Sequence, residues 1–150
     1  MANYYGQFRS NYFHVKDVEA FKAWADRVDV RVLKKETNQM WMVYSSDTSD
    51  SGGIPNTEDL PTGTATKPPG WTDEEFADEF RQFDFLKELS QHLAKNEIAI
   101  VMETGSEKMR YLHGWAGAIN SEGKRLEVSI SDIYKKAIKK FNKVPTRAEY

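Results

Sequence analysis

Glu97-Ile98-Ala99-Ile100-Val101-Met102-Glu103 is the stretch on which the fold turns. Its apolar run is too short for a buried helix and carries β-branched side chains, so it reads as a central strand, apolar on both faces. Working downstream, Thr104-Gly105-Ser106-Glu107 reads as a turn, and Met109 to Ile119 as a long second strand. Gly114 and Gly117 inside that strand point to a bulge, or to another group pressed close to the backbone. Asn120-Ser121-Glu122-Gly123 reads as a hairpin turn, with the glycine placed for a left-handed conformation. Arg125 to Ile130 then alternates as a third strand, predicted to send Leu126, Val128 and Ile130 inward. Ser131 is the expected cap of a final helix in which Ile133, Tyr134, Ala137, Ile138 and Phe141 pack. Lys135, Lys136, Lys139, Lys140 and Lys143 stay outside, and Pro145 ends the helix.

Upstream, Tyr4 to Val15 is aromatic-rich and reads as a strand, with Tyr4, Phe8 and Tyr12 on one face and Tyr5, Phe13 and Val15 on the other. Asp17 is a good N-cap. Behind it, Val18, Phe21, Trp24, Ala25 and Val28 hold the spacing of a buried helical stripe. Val30 to Val32 and Met40 to Tyr44 flank the turn Thr37-Asn38-Gln39, a predicted hairpin. Residues 45–70 differ in kind: Ser, Thr, Asp, Gly and Pro dominate, and a structureless stretch this long inside a domain is either functional or flexible. Order is expected again at Thr72-Asp73-Glu74-Glu75, a capping-box pattern, followed by a helix carrying Phe76, Phe80 and Phe83. Asp84 restarts it for Phe85, Leu86, Leu89 and Leu93, and Asn96 is the predicted terminator.

The succession β-α-β-β-(loop)-α-α-β-β-β-α predicts an α+β fold. An antiparallel sheet carries helices packed on one face, with a ferredoxin-like β-α-β-β-α-β start extended by a β-hairpin and a C-terminal helix. One domain is expected over residues 1–150, interrupted by an acidic insertion at about 45–70. The chain has no cysteine, which excludes disulfides and thiolate metal sites. No apolar run approaches the roughly 20 residues of a spanning helix, and Met1-Ala2-Asn3-Tyr4-Tyr5 does not read as a signal peptide. The expectation is a soluble cytoplasmic protein with no membrane partner.

Net charge is −2, but it is unevenly spread. Residues 45–79 hold nine acids against Lys67, and residues 104–150 hold ten bases against five acids. The acidic region, with Asp47, Asp50, Glu58 and Asp59 around apolar Ile54, Leu60 and Trp71, suits docking on a basic protein surface. A solvated insertion explains the same charges without a partner. The lysine face of the last helix could contact phosphates, with Tyr5, Tyr111 or Trp115 stacking on bases, though it also suits the wet side of an ordinary helix.

His14, His92 and His113 fall in separate elements without metal-site spacing, and Asp47 to Gly53 lacks the ligand pattern of a calcium loop. The chain carries no phosphate-binding, dinucleotide or nucleophile-elbow motif, so no catalytic residue, metal or cofactor is assigned. A third possibility is a small enzyme with a site near His113 and the two strand glycines, which requires a carboxylate within reach of the histidine in a deep polar pocket.

Three stretches, Asn3-Tyr4-Tyr5-Gly6-Gln7-Phe8-Arg9-Ser10-Asn11-Tyr12-Phe13, Glu107-Lys108-Met109-Arg110-Tyr111-Leu112-His113-Gly114-Trp115-Ala116 and Asp132-Ile133-Tyr134, resemble small bacterial proteins encoded on phages and mobile elements. The resemblance covers both ends of the chain and not residues 45–70, and no activity attaches to it. It implies a protein that acts on host machinery by binding it. Together these readings make a non-enzymatic interaction module the expected function, for instance an inhibitor of a host defence or nucleic-acid-processing complex.

Overall fold

The computed structural model describes residues 4–46, 53–59, 80–107 and 111–148. It shows an α+β protein built, among the described residues, on a six-stranded antiparallel sheet with three helices. In chain order the elements are β1 (Tyr4–Ser10), α1 (Val18–Arg27), β2 (Val30–Lys35), β3 (Met40–Ser45), β4 (Thr57–Asp59), β5 (Phe80–Gln82), α2 (Phe85–His92), β6 (Ile98–Glu107), β7 (Tyr111–Asn120), β8 (Arg125–Ser129) and α3 (Asp132–Phe141). The sheet runs β2-β3-β1-β6-β7-β8, and β4 pairs with β5 in a separate ribbon.

Helices α1 and α2 start where the sequence places their caps. The Asp17 carboxylate accepts from the Ala20 N–H at 3.0 Å, and Asp84 does the same for Lys87 at 3.2 Å. Both helices lay their apolar stripes on the same face of the sheet. Phe21, Trp24, Ala25 and Val28 of the first, with Phe85, Leu86, Leu89 and Leu93 of the second, join Phe8, Trp41, Val43, Ala99, Val101 and Ile119 in one core. Trp24 is its centre: the ring meets Phe21, Phe85 and His92 at centroid distances of 6.1, 5.4 and 5.1 Å. Pressed into this aromatic cluster, His92 is held below its ordinary pKa by burial, reinforced by Lys16 and Arg27.

The first strand is shorter than its alternation predicts. At Asn11 the side chain takes over part of the ladder: the backbone N–H still donates to the Ile100 carbonyl at 3.0 Å, while the amide oxygen accepts from the Ile100 N–H at 2.7 Å and the amide nitrogen donates to the Ile98 carbonyl at 3.0 Å. The chain then crosses toward β3, where Phe13 exchanges two backbone hydrogen bonds with Trp41 at 2.8 and 2.7 Å. That break resets the alternation, so Phe8 and Phe13, predicted on opposite faces, enter the same core. Ser10 is buried there with its hydroxyl satisfied, accepting from Val43 N–H at 2.9 Å and donating to the Asn11 carbonyl at 2.8 Å.

Other expectations are corrected. The stretch from Phe80 to Gln82 is a strand against Thr57–Asp59 rather than part of a helix through Phe83, so residues 45–70 contain paired backbone. The capping-box pattern at Thr72 to Glu75 lies outside the described residues. Strand β6 runs on through Thr104 to Glu107 instead of turning there, and pairs with β7 in unbroken register, so neither glycine marks a bulge. Helix α2 ends by Leu93, and Asn96 takes its left-handed conformation (φ 66°) in the turn that follows. The 120–123 hairpin turn is as read, with Gly123 at φ 85°.

The largest correction concerns the other face of the sheet. Leu126, Val128 and Ile130 do not face inward; with Ile98, Ile100 and Met102 they point away from both helices and are exposed. Nor does the last helix pack: α3 has no buried residue, and Ile133, Ile138 and Phe141 are exposed. It ends at an αL residue, Asn142, three residues before Pro145. Alternation tells which residues share a face, and two helices cover only one face.

A surface pair ties the loop after β1 to the start of β6. The His14 ring contacts Glu97 Oε1 through Nδ1 at 3.0 Å and the Asn38 carbonyl through Nε2 at 3.1 Å, while the His14 backbone N–H donates to Glu97 Oε2 at 3.1 Å. Both ring nitrogens face acceptors, so the doubly protonated ring fits best. The Glu97 hydrogen bond raises the His14 pKa above its ordinary 6.5, helped by Asn38. Partial burial pushes the Glu97 carboxyl up, but the side-chain and backbone hydrogen bonds from His14 outweigh it and leave Glu97 below its ordinary 4.5.

A raised histidine stabilises fully below its unfolded pKa and loses that as pH rises. A lowered carboxyl stabilises above its unfolded pKa and loses that as pH falls. The pair therefore contributes most between pH 4.5 and 6.5. In urea titrations, His14→Gln should be furthest below wild type in that window and should approach it on either side. A constant deficit at all pH values would refute the linkage.

Candidate functional site

Two concave regions lie on opposite faces of the sheet. On the helix face, a cavity of about 270 Å³ is bordered by Ile54, Asp84, Glu103, His113, Trp115 and Arg125, among others. Glu103 and His113 lie on paired strands, diagonal to one another on the same face, because Glu103 is opposite Trp115 and His113 opposite Gly105. Their side chains meet at 2.9 Å, Nε2 to Oε2. The other oxygen, Oε1, accepts the Ile54 backbone N–H at 2.9 Å, so one carboxylate holds both the strand histidine and the chain between β3 and β4. Beside it, Arg125 reaches Asp84 at 2.6 Å and Glu127 at 3.2 Å. The Asp84 hydrogen bond leads in raising the arginine pKa; burial pushes the Asp84 carboxyl up, but the Lys87 N–H and Arg125 bring it below its ordinary value.

A histidine bonded to a carboxylate can exchange a proton, which is the juxtaposition a small enzyme would need. The His113 side chain is 42% exposed, so the pair sits in an open depression rather than a deep polar pocket. Sequence reading missed the pairing because a turn at 104–107 would bring Glu103 opposite residues near 108. Only the longer β6 places it beside His113.

On the opposite face, a cavity of about 520 Å³ crosses β1, β2, β3 and β6. Its walls include Arg9, Tyr12, Leu33, Met42, Tyr44 and Met102. The register explains the grouping: Arg9 is opposite both Tyr44 and Met102, and Leu33 is opposite Met42, so all five side chains point away from the helices. Arg9 reaches the Met42 sulfur at 3.6 Å, and the Lys35 ammonium lies 5.5 Å from the centre of the Tyr12 ring. No motif marks this site; it exists because strands distant in sequence are neighbours in the sheet.

Of the residues singled out from sequence, Asp47, Asp50 and Trp71 lie outside the described residues. Glu58 and Asp59 are in β4, opposite Arg81 and Phe80. Lys135, Lys136, Lys139, Lys140 and Lys143 are all exposed, on or just beyond α3. Trp115, considered as a base-stacking aromatic, is partly buried against the core on the helix face. Gly114 and Gly117 have a steric use. A Cβ at Gly117 would lie 2.7 Å from Leu86 Cδ1 and 2.6 Å from the Trp115 ring, and one at Gly114 would lie 2.7 Å from Ile130 Cγ2. Among the described residues, no three His, Asp or Glu side chains converge as a metal centre requires, and no helix is long and apolar enough to cross a membrane.

No family model matches the chain, and neither a curated protein nor a solved structure matches it significantly.

Proposed function

We propose that the protein is an interaction module that docks a protein partner on the open face of its sheet. The observation that carries this reading is the 520 Å³ groove with Tyr12, Tyr44, Arg9, Met42 and Met102 in its walls. Aromatic residues, methionine and arginine are the side chains that concentrate binding energy at interface centres. Tyr44 and Ser45 line the groove and end β3, and the acidic stretch follows them in sequence. The net of −8 over residues 45–79 then serves to steer a partner with a basic surface, while the groove supplies the anchor. In the finer form of the proposal, supported by the resemblance to phage and mobile-element proteins, the partner is a host defence or nucleic-acid-processing complex.

The test uses two variants in affinity capture from the native cell. Leu33→Glu with Met102→Glu alters two groove side chains that are 49% and 59% exposed, so the fold should survive. We expect a protein retained by wild type to be lost about tenfold or more on this variant. Asp47→Asn, Asp50→Asn, Glu58→Gln and Asp59→Asn together should slow its association and weaken the salt dependence. Equal retention by wild type and the groove variant would exclude the groove as the docking site.

A further inference from the structure

The groove occupies the β1–β3 half of the open face and reaches β6 at Met102; beyond that shared residue, the β6–β8 half has a different character. Ile98, Ile100 and Met102 on β6 and Leu126 and Val128 on β8 are exposed there, between them carrying no charge. The register aligns them in rows across β7, Ile100–Ala118–Leu126 and Met102–Ala116–Val128. One turn beyond β8, α3 exposes an apolar stripe: Ile133 is 60% exposed, Ile138 40% and Phe141 74%. Its four lysines, Lys135, Lys136, Lys139 and Lys140, lie on the opposite side of the helix, so covering the stripe leaves them facing water.

A helix of ten residues is too short to persist alone in water, where about 12–15 residues are marginal even for good helix formers. Its start is nevertheless fixed: the Asp132 carboxylate accepts from Ser129 N–H at 2.9 Å, Ser129 and Ser131 hydroxyls meet at 2.7 Å, and Ile130 N–H donates to the Gly114 carbonyl at 2.9 Å. Held this way, the helix leaves both its own stripe and its own sheet face uncovered.

We infer that a second copy of this chain covers both, each α3 laying its stripe across the β6–β8 face of the other. The two surfaces are chemical complements supplied by one chain in equal number. A two-fold arrangement therefore buries both at once and closes on itself, whereas a foreign partner seated on the sheet would leave the helix stripe exposed. The edge strand itself is guarded against pairing by Arg125 and Glu127 on it and Lys124 just before it.

The experiment is sedimentation of the full chain with two sets of variants. Wild type should sediment at twice its 17.3 kDa mass. Leu126→Lys with Val128→Lys, and separately Ile138→Glu with Phe141→Glu, should each weaken the dimer by about a hundredfold or more while circular dichroism stays folded. All four side chains are exposed in the single chain, so their loss has no core to disturb. Because the chain has no cysteine, Val128→Cys with Ile138→Cys gives a clean crosslink: oxidation should join two chains. A disulfide closing within one chain would overturn the proposal, showing the helix folded onto its own sheet. So would a wild-type monomer, including one that instead co-sediments with phosphatidylserine vesicles, or a dimer that both charged variants leave intact. Leu33→Glu alone, in the groove but off the β6–β8 face, should leave the dimer unchanged, which separates this result from the docking proposal.

Discussion

Trp24→Ala should destabilise the protein by about 3–5 kcal/mol, the range for truncating a large buried aromatic. The side chain is 2% exposed and is the point at which α1, α2 and the sheet meet. Its loss removes ring contacts to Phe21, Phe85 and His92 together, and leaves Glu88 without the indole N–H that reaches its carboxylate at 3.2 Å. Since whole domains are stable by only about 5–15 kcal/mol, a loss of this size is a large fraction of the total. Thermal unfolding should fall by roughly 2–4 °C per kcal/mol for a chain of this length. Trp24→Phe, which keeps an aromatic ring and gives up the hydrogen bond, should recover more than half. A loss below about 1 kcal/mol for the alanine would mean that the two helices are not seated on the sheet through this residue.

Gly117→Ala and Gly114→Ala should separate in the same assay, although both place a methyl group on β7. At Gly117 the new Cβ meets Leu86, buried at the start of α2, and the Trp115 ring. Neither can move without disturbing the core, and overpacking of this kind costs about 1–3 kcal/mol. At Gly114 the obstacle is Ile130, 55% exposed on the uncovered face and free to turn into solvent. That substitution should stay within about 0.5 kcal/mol of wild type. Equal losses at the two positions would contradict the assignment of the two faces, one covered by helices and one open.

The contrast between these glycines shows where reading a chain succeeds and where it stops. Both were legible as places where something approaches the backbone, and in both something does. What approaches, and whether it is core or surface, depends on which face α1 and α2 cover. The same ambiguity governs Leu126, Val128 and Ile130: strict alternation groups them correctly, but a period of two is symmetrical between the faces. The Glu103–His113 pair and the Arg9–Tyr44–Met102 groove were not legible at all. One depended on how far β6 runs before turning, the other on β1 lying between β3 and β6.

The sequence by itself determined the α+β class, the caps at Asp17 and Asp84, the aromatic stripe of α1, the turn at Asn120 to Gly123, and the charge division between residues 45–79 and 104–150. These are local properties, set by side-chain spacing, backbone preference and composition within a few residues. Only the tertiary structure decided that the first strand ends before Asn11, that Phe80 to Gln82 pairs with Thr57 to Asp59, and that one face of the sheet and the apolar stripe of α3 are left exposed. Those outcomes come from strand order and from which face of the sheet α1 and α2 cover, long-range choices that no local pattern encodes.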